Sequence, residues 1–122
     1  MDKREIFDHI IDVTAEVCMV EAEEIINGSR RDDVVTARSI VVFWLNAAGF
    51  SVESIKSCAG VDSSGQVNAI KSRMEDYWKN KFAYHMWVKE VGVRLLKIAR
   101  SDGEDFDIEM PLNHMRKMTG KY

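Results

Sequence analysis

The run Ser51-Val52-Glu53-Ser54-Ile55-Lys56-Ser57-Cys58-Ala59-Gly60-Val61-Asp62-Ser63-Ser64-Gly65-Gln66-Val67-Asn68-Ala69-Ile70-Lys71 decides the fold. Ser51 has a hydroxyl suited to an N-cap, with Ser54 three residues on. A short helix over Val52–Cys58 is expected to stop at Gly60. Asp62 or Ser63 can then cap a second helix, whose apolar face is Val67, Ile70, Met74, Tyr77 and Trp78 at helical spacing. Short helix, glycine turn and longer amphipathic helix follow the order of a helix-turn-helix. That motif places the first side chains of its second helix in a DNA major groove. Here those side chains are Ser63, Ser64, Gly65, Gln66 and Asn68, small and polar enough for close approach and hydrogen bonding.

The chain on either side is also helical in pattern. Phe7, Ile10, Ile11, Thr14 and Val17 or Cys18 form one stripe. A short segment from Val20 to Ile26 stops at Asn27-Gly28, and Ser29 with Asp32-Asp33 suits the start of the next helix. That helix carries Val34, Ala37, Ile40, Val41, Trp44 and Ala48 on one face and ends near Ala47-Ala48-Gly49. After a weak break at Lys79-Asn80-Lys81, a further helix is expected from about Phe82 to Arg100. Its register is Tyr84, Trp87, Val88, Val91, Leu95 and Ile98. A loop over Ser101–Asp105 and a last short helix from Pro111 to Met118 complete the reading. The class is all-α, a helix-turn-helix bundle over residues 1–79 with a helical extension over 80–122 that packs on it.

The chain has 122 residues, 46% apolar, with one proline and a net charge of −3. That length fits one domain able to bury a core without disulfides or metals. The charge is unevenly spread. Residues 1–27 hold 2 basic and 8 acidic groups, residues 28–80 hold 7 and 6, and residues 81–122 hold 8 and 6. The acidity belongs to the first helix, which leaves room for a basic patch elsewhere. No apolar run reaches the roughly 18 residues of a membrane span. The opening Met1-Asp2-Lys3-Arg4-Glu5 lacks a signal peptide's apolar stretch. Cys18 and Cys58 sit among apolar residues and read as small buried hydrophobes of a reducing compartment. A cytoplasmic protein with no membrane partner is the expectation.

An ordered set of residues carries a resemblance. Ala15-Glu16, Glu23-Glu24-Ile25-Ile26, Ser29-Arg30-Arg31, Ala37-Arg38, Ile40-Val41, Ser51-Val52-Glu53-Ser54-Ile55, Gly60, Asp62 and Val67-Asn68-Ala69-Ile70-Lys71 follow one another over residues 6–76. In order and spacing they resemble the C-terminal DNA-binding domain of the bacterial replication initiator DnaA, of the Trp-repressor-like helix-turn-helix group. The resemblance implies a basic loop reaching the minor groove and phosphates, matched by Arg30 and Arg31. It also implies an Ala-Arg pair opening the following helix, matched by Ala37-Arg38. The family's recognition helix begins Asp-His-Thr-Thr. Here the positions hold Asp62, Ser63, Ser64 and Gly65, so the aspartate and one hydroxyl are kept, and the histidine and second threonine are not.

Bland readings stand beside these. Asp62 and Ser63 also serve as plain caps, and Arg30 and Arg31 also read as solvated loop charges beside Asp32-Asp33. Arg38 reads as a helix-face residue pairing with acids such as those of the first helix. Trp44, Trp78 and Trp87 read as core. His9, His85 and His114 are far apart, so no metal site is expected. Glu23-Glu24 and Asp32-Asp33 are adjacent and diverge around a helix, so they do not form an acid–base pair. No catalytic constellation and no cofactor site emerges. The absence of a Gly-rich phosphate loop excludes a nucleotide-hydrolysing motor and leaves no nucleotide partner. The chain is therefore not expected to be a complete initiator.

These readings converge on an expectation of double-stranded DNA binding in transcription or replication control, with a mobile element as one setting. Phosphates would be anchored by Arg30, Arg31, Arg38, Lys56 and Lys71. Bases would be read by Ser63, Ser64, Gln66 and Asn68, beside Asp62 and Gly65. The alternative is an interaction module of the same fold. A homodimer through the 82–100 helix is a further expectation, from a stripe of Phe82, Tyr84, Trp87, Val88, Val91 and Leu95. Much of the stripe packing back on the first bundle is the bland reading, and it ranks ahead of the dimer. The deciding feature is whether Arg30, Arg31, Lys56 and Lys71 converge on the face that displays Ser63 to Gln66.

Overall fold

A computed structural model describes residues 2–61, 63–80 and 82–101. Asp62, Lys81, the expected loop beyond Ser101, the Pro111–Met118 helix and His114 lie outside the described residues. So do the side chains of Cys58, Tyr77, Trp78 and Phe82. The described residues form six helices and no strand: α1 (Lys3–Cys18), α2 (Ala22–Ile26), α3 (Asp32–Ala47), α4 (Val52–Cys58), α5 (Ser64–Asn80) and α6 (Phe82–Ser101). None of them is long and apolar enough to cross a membrane.

Local chemistry sets most boundaries. The Asp2 carboxylate accepts from the Glu5 N–H and caps α1. Ser51 Oγ accepts from the Ser54 N–H at 3.2 Å and starts α4. Ser63 Oγ accepts from the Gln66 N–H at 3.2 Å and starts α5. Each cap satisfies a donor that the first turn leaves without an intrahelical partner. The α3 start differs from the expectation. The helix begins at Asp32 after Arg31, and Ser29 Oγ accepts only from the Arg31 N–H, two residues on.

The central element is α3, which packs against α1, α2, α4 and α5. The sequence pattern predicts one apolar face, but Ala37 to Leu45 are buried without interruption. A helix covered on all sides needs no polar face, and Ile40-Val41-Val42-Phe43-Trp44-Leu45 is such a run. Trp44, Ile55, Val67 and Ile70 are all buried. The α6 helix joins the same core through Tyr84, Val88, Val91 and Leu95, and Trp44 Nε1 donates to the Val88 carbonyl at 3.2 Å. The boundary drawn at residues 79 and 80 therefore separates two helices that share one core.

Two expectations are corrected here, the full burial of Trp87 and that of Cys18. Trp87 is 39% exposed, with Met86 at 48% and Val93 at 42%. The buried α6 stripe runs 84, 88, 91, 95, and Trp87 sits about 70° from its centre, on the flank. Most of the stripe assigned to a homodimer is likewise taken up by the core, which leaves Trp87 with Met86 and Val93 outside. Cys18 is half-buried, and burial pushes its thiol up to about 11.

Gly60 lies where α4 turns toward α5, with φ +70°, and a Cβ there would fall 2.5 Å from the Ile26 carbonyl oxygen and 2.7 Å from that of Ile25. The turn thus rests directly on the end of α2. Gly60→Ala should destabilise the protein by about 2 kcal/mol or more, through both the left-handed backbone and the collision. Chemical denaturation monitored by circular dichroism measures it.

Candidate nucleic-acid interface

Arg38 organises the site from beneath. It projects from the second turn of α3 and is 8% exposed. Its Nε donates to the Ile25 carbonyl at 2.9 Å, Nη1 to that of Ser29 at 3.0 Å and Nη2 to that of Glu24 at 3.1 Å. The sequence reading gave it acidic partners on the first helix. The reason for the difference is geometric. The C-terminus of α2 points the carbonyls of its last turn, the negative end of the helix dipole, at this face of α3. A five-donor planar guanidinium meets several carbonyls at once.

Above Arg38 lies a cleft of about 610 Å³ between the α2–α3 loop, α3, α4 and α5. Among the described residues, four cationic side chains line it, Arg30, Arg38, Lys56 and Arg73, and no acidic one does. Asn27, Ser39, Ser57 and Gln66 add polar groups, and Ile26, Val35, Val61 and Ile70 form the apolar wall. Depth sorts these residues. Arg30, Gln66 and Arg73 are exposed at the rim, whereas Arg38, Ser39, Val61 and Ile70 are buried.

Of the residues singled out in the sequence, Arg30, Arg38, Lys56 and Gln66 meet at this cleft. Ser63, Gly65 and Asn68 are exposed on the first turns of α5, and Lys71 is half-buried; none of the four lines the cleft. Asp62 lies outside the described residues. Arg31 is exposed but engaged, with its Nε on Asp33 at 2.8 Å and Nη1 on Glu24 at 3.0 Å. The Asp33 carboxyl is held below the usual carboxylate range, first by the Arg31 hydrogen bond. Ser64 Oγ donates to Glu53 Oε1 at 3.0 Å, and Lys56 Nζ lies 3.3 Å from Glu53 Oε2. Those two contacts, Ser64 first, hold the Glu53 carboxyl below its ordinary range. Glu53 is largely exposed, so its pair with Lys56 is weak and screened by salt.

Two residues at or beside the cleft carry no site role in the sequence reading. Arg73 falls seven residues after Gln66 and three after Ile70, which puts it on their face of α5. Glu53 precedes Lys56 by three residues, a spacing that pairs charges along a helix. No group of three or more His, Cys, Asp or Glu side chains able to hold a metal occurs among the described residues.

The Arg31–Asp33 contact generates a test. Asp33→Asn keeps an oxygen acceptor for the Val34 N–H, which Asp33 Oδ1 now accepts at 2.8 Å, and removes one of the two charges that engage Arg31, leaving Glu24. If the loop contacts a polyanion, this variant should bind duplex DNA more tightly at low salt, and the slope of log affinity against log salt should steepen by about one. Fluorescence anisotropy over a salt series reads both.

No family model matches this chain, and comparison with curated proteins and with solved structures finds no match either.

Proposed function

We propose that this chain binds double-stranded DNA through a helix-turn-helix formed by α4 and α5, in the control of transcription or replication. The observation that carries the reading is the gathering of Arg30, Lys56 and Arg73 around a cleft with no acidic lining among the described residues, beside the polar first turn of α5. An acidic protein that concentrates cations on one face presents a local attraction for a polyanion despite its net charge. In this reading Arg30, Lys71 and Arg73 contact phosphates, which set position. Ser64, Gln66 and Asn68 read base edges, which sets sequence. Arg31 joins when its acidic neighbours release it. Arg38 is a positioning residue that holds the loop and is not itself a reader. The resemblance to the DnaA C-terminal domain supports the same assignment for Arg30 and Arg31. No reaction is assigned to the chain.

A second reading has its own observation. Met86, Trp87 and Val93 are exposed apolar side chains on α6, away from the basic cleft residues in sequence, and suit an interaction module or a homodimer contact. Sedimentation at high micromolar concentration, compared between the wild type and Trp87→Ala, addresses that contact directly.

Selection of bound duplexes from a random pool, followed by anisotropy, tests the DNA reading. Nonspecific affinity should be weaker than about 10⁻⁵ M at physiological salt, given the acidic net charge. Arg73→Ala should weaken binding to every sequence alike and lower the salt slope by about one. Gln66→Ala should relax preference at one position, by roughly 1–3 kcal/mol, and leave the salt slope alone. Absence of binding to any duplex at low salt would remove this reading and leave the interaction module.

A further inference from the structure

The cleft has more depth than a duplex uses. A double helix is a convex rod, and its phosphates can meet the exposed Arg30 and Arg73 at the rim. The buried floor is a different matter, because Arg38 and Ser39 are only 8% and 6% exposed. The volume of about 610 Å³ lies within the range of small-molecule sites, roughly 300–1,000 Å³. We propose that this cleft is a binding site for a free small molecule carrying two or more phosphate groups, held by Arg30, Lys56 and Arg73 above the guanidinium of Arg38.

Three features favour that ligand class. First, among the described residues the lining is cationic at four positions and acidic at none. A monoanion would leave most of that charge uncompensated, whereas a di- or triphosphate matches it. Second, the cations come from separate elements: Arg30 from the α2–α3 loop, Arg38 from α3, Lys56 from α4 and Arg73 from α5. They surround a volume instead of following a line, which suits a compact anion better than an extended backbone. Third, one wall is apolar. Ile26 is 42% exposed there and Val35 is half-buried beside it, which gives the non-phosphate part of a ligand a surface to cover. Lys56 is reached at little cost, because its partner Glu53 is mostly in water. The lack of a Gly-rich phosphate loop excludes hydrolysis by a motor, but a cradle built from side chains needs no such loop. Competition with DNA at the shared rim follows, and that clause alone rests on the DNA reading.

The test is isothermal titration calorimetry of the full chain with sodium tripolyphosphate, pyrophosphate and inorganic phosphate, at low salt. Saturable binding at one site is expected, tightest for tripolyphosphate and weakest for phosphate. Losing one charge-assisted contact in Arg73→Gln should weaken tripolyphosphate by about tenfold, and Arg30→Gln should do so similarly. Both substitutions are at exposed positions, and circular dichroism confirms that each variant is folded. No saturable heat at millimolar tripolyphosphate, or equal affinity in the wild type and both variants, would overturn the proposal. A 15-base-pair duplex is measured in parallel by anisotropy. Tripolyphosphate binding with no duplex binding supports the ligand site and defeats only the DNA reading. Duplex binding with no tripolyphosphate binding does the reverse. Where both bind, tripolyphosphate should displace the duplex, and simultaneous occupancy would overturn the shared rim.

Discussion

The contact between the Arg38 guanidinium and the end of α2 fixes the geometry on which the rest of the site depends. A five-residue helix is too short to hold its own shape in water, since its nucleus costs more than its few hydrogen bonds return. Here α2 is closed from two sides. Arg38 satisfies the carbonyls of Glu24 and Ile25 from α3, and Gly60 presses on the carbonyls of Ile25 and Ile26 from the α4–α5 turn. The same guanidinium takes the Ser29 carbonyl and so fixes the path of the loop that bears Arg30 and Arg31. One buried cation thereby sets the loop, the short helix and the turn relative to one another.

The electrostatic character of the cleft follows from that arrangement more than from composition. The acidic groups of residues 1–27 fall mainly on α1 and α2, and Glu24 turns its carboxylate to Arg31 while its carbonyl serves Arg38. Arg94 on α6 is occupied by Glu16 and Glu90, at 2.8 and 2.9 Å. With Arg94 and Arg31 engaged by acids, Arg30 and Arg73 are left to define the charge of the open rim. A net charge of −3 and a cationic cleft are therefore compatible in one small domain.

How much of this was legible in the sequence depends on range. The Ser51 cap, the Val52–Cys58 helix and the Ser63 cap are local, set by hydrogen bonds three residues apart, and they could be read directly. The inward positions Val67 and Ile70 follow from helical period alone. What escaped was non-local. Arg38 meets carbonyls 9 to 14 residues before it, and nothing in its immediate neighbourhood marks a backbone partner. The all-round burial of α3 is carried by the unbroken apolar run from Ile40 to Leu45, which a one-face periodicity does not capture. Arg73 shares a face with Gln66 by spacing, but it lies beyond the first turns of α5, which are the part a helix-turn-helix places in the groove.

The pairing of α1 with α6 has a consequence for how the chain comes together during synthesis. Ile10 and Ile11 belong to a core that Val91 and Leu95 complete, some eighty residues later. The Glu16–Arg94 pair spans 78 positions, and the Trp44–Val88 hydrogen bond spans 44. Until α6 leaves the ribosome, the part of the α1 face that packs on α6 and one edge of Trp44 have no cover from this chain. At roughly 5–20 residues per second, that interval lasts several seconds. The strongly acidic N-terminal segment then has a second role. Eight carboxylates on a nascent chain repel other copies at the stage when its apolar surface is most open to association.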